Sequence, residues 1–312
     1  MPHPTRRQFI RTTAFAGAAV STGAVSTVDA SVFPTILTKA ERGPAKPADS
    51  VVRLGFIGIG SRGRSHVEQA LYRADVQIPA ICDIDPEAIS RTNAMIEKSG
   101  RKKPEAYTNG AEAFRQMLQR NDLDGVVIAT PWEWHVPMAV ATMKAGKYAA
   151  VEVSATVTLQ ESWDLVNTSE QTKMPCMILE NVCYRRDVMA VLNMIRQGLF
   201  GEMTYAHCGY QHDLRDIKFN NGKQYAGGGV EFGPKGYAEA RWRTQHSVDR
   251  NGDLYPTHGL GPVAHWFDIN RGNQFVRLTS MATKSRGCTS TWSIKAAKII
   301  RTPKSTSNLA TW

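Results

Sequence analysis

At 312 residues, 42% hydrophobic and 21% charged, the chain is long enough to bury the cores of two globular domains. Its net charge of +10 sits mostly at the ends: residues 1–50 hold six Lys/Arg against three Asp/Glu, and residues 288–312 hold four against none. The +3 left for the body is too small and too scattered to recognise nucleic acid, so that class of partner is excluded.

Taken in order, the chain opens on Thr5-Arg6-Arg7-Gln8-Phe9-Ile10-Arg11 and an Ala/Thr/Gly-rich run to Val28. Paired arginines before a short apolar stretch predict a twin-arginine signal peptide over residues 1–30, cleaved near Val28-Asp29-Ala30. Thr12–Val28 is too short and too polar to span a bilayer, so membrane contact is expected only during export, to the periplasm or beyond. Residues 31–50, with Pro34, Pro44 and Pro47, read as a linker.

Residues 51–83 carry the most informative pattern. An apolar run (Val52, Leu54, Phe56, Ile57) leads into Gly58-Ile59-Gly60-Ser61-Arg62-Gly63, then a helical stripe (Val67, Ala70, Leu71), then a second apolar run, Val76–Cys82, ending in Asp83. Strand, glycine turn, helix, strand and acid in this order predict a dinucleotide site. Gly58 permits the tight turn, Gly60 lets backbone N–H groups approach a pyrophosphate, and Gly63 lets helix pack on strand. The helix N-terminus stabilises the phosphates, and Asp83 is placed to accept from the ribose hydroxyls. Ile84, Asp85 and Pro86 follow it without a nearby cation, so NAD is favoured over NADP.

Residues 84–180 alternate helix and strand. Helix Pro86–Ser99 starts on Asp85 as cap, with Pro86 at its first position, and stops at Gly100. Helix Ala111–Arg120, strand Gly125–Ala129, a helix with Val136, Val140 and Met143 on one face, and strand Tyr148–Val153 come next. A helix marked by Leu159, Trp163 and Val166 and a strand Cys176–Leu179 complete the alternation. It predicts a Rossmann-like, doubly wound parallel sheet over residues 51–180, with ligands at the carboxyl ends of its strands. Three strand ends bring polar or aromatic groups to that edge: Trp132-Glu133-Trp134-His135 after Thr130-Pro131, Glu152-Val153-Ser154, and Glu180-Asn181. Plainer readings make the tryptophans rim packing and His135 a helix cap. The five cysteines are odd in number and lack a C-x-x-C, so neither a disulfide framework nor a metal site is expected.

Beyond residue 180 the pattern changes. Val188, Leu192, Ile195 and Leu199 mark an amphipathic helix, and Met203–Asp213 reads as a strand. The Gly-rich, charged stretch Gln211–Asn251 is too long for an idle connection and reads as a binding surface. Tyr255 and His258 are three apart, so both point one way if a helix starts there, and Gly259 and Gly261 leave room for a ligand.

With these residues laid out, the chain resembles the Gfo/Idh/MocA oxidoreductases and, within them, the NAD-dependent α-N-acetylgalactosaminidases of glycoside hydrolase family 109. The likeness rests on GIGSRG, AICDID, ATPWEWHVPMAV, VEVS, LENVCYRRDVMAVLNMIRQGLFGE, GYQHDLR, EARWRTQHSVDRNGDLYPTHGLGP and DINRG. It implies an α/β substrate domain with a mainly antiparallel sheet, and a glycan or glycoside ending in N-acetylgalactosamine as substrate. Hydride leaves C3 of the sugar for NAD⁺, the ketone acidifies C2–H, the C1 substituent is expelled, water adds, and the hydride returns. Dehydrogenases of the superfamily carry Glu-Lys-Pro where this chain has Glu152-Val153-Ser154, and valine moves no proton.

By the same resemblance, His258 and Tyr255 transfer protons beside Tyr210, and Arg243, Tyr210, Tyr255 and His258 hold the sugar. Glu180 orients a substrate hydroxyl or the nicotinamide. Arg62, Asn181, Glu152, Val153 and the Trp132–His135 loop join Gly58, Gly60, Gly63 and Asp83 around NAD. Plainer alternatives give His258 a backbone carbonyl and Glu180 an ion pair with Arg185 or Arg186.

After Gly287 the likeness stops, and residues 288–312 lack any pattern. A substrate domain over 181–287 is therefore expected to be incomplete, leaving strand edges that invite homo-oligomers through its sheet. The rival readings are a sugar dehydrogenase that releases NADH and a non-enzymatic NAD-binding remnant. One outcome is expected of either enzyme or remnant. Asp83→Ala should weaken NAD binding by about 1.5–3 kcal/mol, one to two orders of magnitude in dissociation constant, because charged hydrogen bonds to the ribose are lost. Equal affinity by titration calorimetry would overturn that assignment.

Overall fold

The computed structural model describes residues 50–250 and 252–282, together with residue 293. The expected signal peptide, the linker up to residue 49, and the tail apart from Ser293 lie outside the described residues. All described residues belong to one packed unit that begins at Ala40. Among them, no helix is long and apolar enough to cross a membrane.

The strands are β1 (Val52–Ile57), β2 (Val76–Cys82), β3 (Glu105–Tyr107), β4 (Gly125–Ile128), β5 (Tyr148–Val151) and β6 (Cys176–Ile178). Their order is β3-β2-β1-β4-β5-β6 and every pairing is parallel. This is the doubly wound order, in which the direction of strand addition reverses between β1 and β4. Helices α1 (Ser61–Leu71), α2 (Pro86–Lys98), α3 (Ala113–Leu118), α4 (His135–Lys144) and α5 (Leu159–Thr172) make the crossovers. Because successive strand residues face opposite ways, Phe56 and Ile81 join Ile59, Val67 and Ile96 in one core layer. Ile57 and Cys82 join Phe114, Met117, Ile128 and Met143 in the other.

Local signals placed several boundaries well. Asp85 caps α2 by accepting from the Glu87 N–H at 2.9 Å, and Gly100 stops it at φ +76°. Thr158 and Glu161 form a reciprocal capping box at the start of α5. Four expectations need correction. Strand β3, three residues with only Tyr107 buried, was too short to read. Helix α3 is shorter than Ala111–Arg120. On α5 the stripe Leu159, Trp163 and Val166 faces outward, 76%, 55% and 50% exposed, while Leu165 and Thr168 turn inward.

Lastly, Met203–Asp213 forms no strand, and no sheet forms among described residues 181–282, where only isolated bridges pair. A strand has no ladder without a partner, and no neighbouring segment supplies one. The antiparallel sheet has no counterpart among these residues. What forms instead is α6 (Arg186–Arg196), α7 (Arg215–Lys218), α8 (Arg243–Asp249) and α9 (Thr257–Trp266), joined by short 3₁₀ turns.

The seat of α1 against β1 gives a direct test. A Cβ built on Gly63 would lie 1.8 Å from the Gly58 carbonyl oxygen, so helix and turn touch backbone to backbone. Gly63→Ala should force them apart and cost about 1–3 kcal/mol, as overpacking does, read as a lower urea midpoint at unchanged slope.

Candidate active site

The carboxyl ends of β1, β4 and β5 open on a cavity of about 1000 Å³, at the upper limit of the roughly 300–1000 Å³ typical of small-molecule sites. Its lining comes from the glycine turn, the Trp132–His135 loop, Glu152, Val153 and Asn181 on one side. Tyr210, Tyr225, Tyr237, Glu239, Arg243, Tyr255 and His258 face them from the other.

The glycine turn is built as its spacing predicts. Gly58 sits at φ +76°, and a Cβ there would meet Thr130 at 2.7 Å. A Cβ on Gly60 would meet nothing within 4 Å, so backbone can be approached from the cavity at that point. No side chain caps the N-terminus of α1, whose orphan N–H groups suit a phosphate. Asp83 Oδ2 accepts from the Ile59 N–H at 2.7 Å and Oδ1 from Asp85 at 2.9 Å, tying the acid to the turn. Burial raises the Asp83 pKa against the pull of these N–H groups. Turn, open glycine, uncapped helix and strand-end acid together fit a dinucleotide.

Under the turn lies a charge cluster. Glu152 is buried, and its Oε1 meets Arg62 Nε at 2.5 Å and His66 Nε2 at 2.6 Å, while Oε2 accepts from the Val153 N–H at 3.0 Å. Burial alone would raise its pKa; His66 and Arg62 outweigh it, and the carboxylate stays below its ordinary value. His66 was not foreseen.

The Trp132–His135 loop is a 3₁₀ turn running into α4. His135 is 1% exposed and bridges two strand-end loops, with Nδ1 2.7 Å from the Ser154 carbonyl and Nε2 2.8 Å from that of Thr130. Burial lowers its pKa against the pull of both carbonyls. It is thus more than a cap, and its ring is committed to the scaffold. Trp132 is buried at the centre of an aromatic cluster, 4.7 Å from His246, 5.3 Å from Trp242 and 5.8 Å from Tyr255 between ring centroids. Trp134 packs partly buried against the core. Glu133 reaches His246 Nε2 at 3.0 Å.

At the far end, Glu180 and His258 meet across 78 residues of sequence: His258 Nδ1 lies 2.7 and 2.9 Å from the two carboxylate oxygens. Glu180 also accepts from the Val182 N–H at 3.0 Å. The alternative of an ion pair with Arg185 or Arg186 is not realised; Arg185 pairs with Asp187 instead. Tyr210 stands 4.4 Å from the His258 ring and 5.6 Å from Tyr255, and its hydroxyl meets His212 Nδ1 at 2.9 Å.

Arg243 is clamped by Glu239 at 2.5 Å, lies over the rings of Trp132, Trp242 and Tyr255, and approaches the Tyr255 hydroxyl at 3.4 Å. Burial raises the Tyr255 pKa, with Arg243 pulling the other way. Gly261 does not leave room for a ligand: a Cβ there would meet Cys183 Sγ at 2.9 Å and Glu180 Cγ at 3.0 Å, so its space is filled by the Glu180 side chain. His246 went unremarked in sequence; it lies in α8, and Trp242 is the residue that precedes that helix.

Comparison with known proteins agrees with this geometry. Residues 52–179 match the family model for the oxidoreductase family with an NAD-binding Rossmann fold (Gfo/Idh/MocA), and residues 184–303 match that for the glycosyl hydrolase 109 C-terminal domain. An α-N-acetylgalactosaminidase of Tannerella forsythia is 53% identical over 292 residues, covering 91% of this chain and 62% of that protein. A glycosyl hydrolase family 109 protein of Parabacteroides distasonis is 50% identical over 288 residues, again 91% and 62%, and one of Stenotrophomonas maltophilia is 51% identical over 248 residues, 78% and 55%. The chain thus spans somewhat under two thirds of the length of these relatives. Residues 52–179 are thus of the Gfo/Idh/MocA NAD-binding Rossmann type, and residues 184–303 are similar to the C-terminal domain of glycosyl hydrolase 109.

Proposed function

We propose that this site releases terminal α-linked N-acetylgalactosamine from glycans or glycosides by a redox-neutral, NAD-dependent elimination and addition, and that the protein is exported by the twin-arginine route its first residues encode. The observation that carries the reading is the buried Glu180–His258 pair, flanked by Tyr210 and Tyr255. His258, Tyr210 and Tyr255 line one cavity with the glycine turn and Val153, and by the resemblance Val153 takes the place of a dehydrogenase's lysine.

Gly58, Gly60, Gly63 and Asp83 hold the cofactor, joined by Asn181, Val153 and the Trp132 edge of its loop; Arg62 and Glu152 hold the floor beneath it. NAD, when bound, supplies reversible hydride transfer at C3 of the sugar. The remaining steps are proton transfers. Glu180 fixes the tautomer of His258 by accepting from Nδ1–H, which leaves Nε2 as the basic atom. Tyr255, its pKa raised by burial, keeps its proton at neutral pH and is suited to donate to the departing C1 substituent. Arg243, its charge balanced by Glu239, presents N–H donors to sugar oxygens. Tyr210 packs the sugar against His258.

The rival within this family is a sugar dehydrogenase that releases NADH. Two arms separate them: a chromogenic α-N-acetylgalactosaminide with NAD⁺, and free sugars with NAD⁺. Aglycone release without net NADH is the expected result. NADH accumulation on free sugar, with no aglycone released, would sink the glycosidase reading.

A further inference from the structure

Opposite the glycine turn, residues 214–243 cross the cavity and are anchored on the nucleotide domain. This segment has little regular structure of its own, and one side chain organises it. Asn220 is 0% exposed; its Oδ1 accepts from the N–H groups of Tyr237 and Gly222, both at 3.0 Å. Its Nδ2 donates to the Tyr237 carbonyl at 2.9 Å, and its backbone exchanges bonds with Glu231 at 3.1 and 2.8 Å. Gly229 is required beside it, because a Cβ there would lie 2.4 Å from the Asn220 carbonyl oxygen. One buried amide thus closes a loop and fixes where Tyr237 emerges.

Two tyrosines of this loop reach the nucleotide-binding elements. The Tyr237 hydroxyl donates to Glu87 on α2 at 3.4 Å and stands beside Arg91. The Tyr225 hydroxyl donates to Glu239 at 2.7 Å and stands beside Ser61, the first residue of α1. Ile217, Tyr225, Tyr237 and Glu239 line the same cavity as Gly60 and Asp83. The loop therefore runs from the acid–base end of the cavity to the two helices that start at its cofactor end.

We propose that residues 214–243 are a strap that retains NAD between turnovers, with Asn220 as its positioning residue and Tyr225 and Tyr237 as its fastenings. The proposal rests on the NAD-dependent, redox-neutral reading above. An enzyme that exchanges NADH for NAD⁺ in every cycle is slowed by such a strap. One that returns the hydride to its own substrate has no cause to open it.

The test is cofactor exchange, measured without substrate. The full chain is loaded with NADH, mixed with a large excess of NAD⁺, and release is followed by NADH fluorescence. Tyr237→Phe and Tyr225→Phe remove one hydroxyl each and keep the rings, so each should release NADH about threefold to tenfold faster. Their urea midpoints without cofactor should stay at the wild-type value, which a merely structural role would not predict. Asn220→Ala should accelerate release further; if it fails to fold, the two phenylalanine variants decide alone. Binding of NADH with wild-type release rates in both would overturn the strap and leave the cofactor reading standing. No NADH binding by the wild-type chain would overturn the cofactor reading and the strap with it.

Discussion

A carboxylate and an imidazole buried against each other hold the two halves of this site together. Glu180 ends the last strand segment of the nucleotide domain, and His258 lies in the first turn of α9. Neither would be stable in that place alone, since a buried group stripped of its partner carries a desolvation penalty of several kcal/mol. Their contact therefore fixes α9 against the sheet. It also suits a glycine at position 261, where a Cβ would crowd both Cys183 Sγ at 2.9 Å and Glu180 Cγ at 3.0 Å. Tyr255, at the approach to the same helix, is carried into place with it and closes on Trp132. His258 and Tyr255 are thus positioned against the same sheet edge that carries the glycine turn.

The charges around the cavity are organised in the same manner. Glu152 pairs with Arg62 and His66, while Arg243 lies within ion-pair distance of Glu239 and His246 within that of Glu133. Each pair joins segments that the chain brings together only on folding, apart from the i, i+4 pair Glu239–Arg243. This leaves a site whose field is local rather than a property of net charge, in keeping with the small charge of the body.

Much of the nucleotide half was legible because its signals are local. A proline after an aspartate starts a helix, a glycine at positive φ ends one, and G-x-G-x-x-G before a helix serves backbone needs that only glycine meets. The strand ends also announced their polar residues. What escaped was set by tertiary contact. The stripe on α5 reads as a core face, yet the helix turns it outward to pack Leu165 and Thr168. Nothing in the sequence around Asn220 distinguishes it from the asparagine beside it. Gly261 looked like space for a ligand, when it is space for Glu180. Met203–Asp213 has the composition of a strand, but composition supplies no partner to pair with.

The span of the Glu180–His258 contact has a bearing on how the protein comes into being. During synthesis from the N-terminus, domains generally form as soon as their residues have emerged. The six-stranded sheet is complete at Ile178, whereas the acid–base half waits for α9, and the contact that unites them joins residues 78 apart. The nascent chain therefore passes through a stage at which the nucleotide domain is complete but the Glu180–His258 pair has not formed. The floor of the cavity is a template on which the later residues assemble, so cofactor captured early would help to shape the pocket that later encloses it.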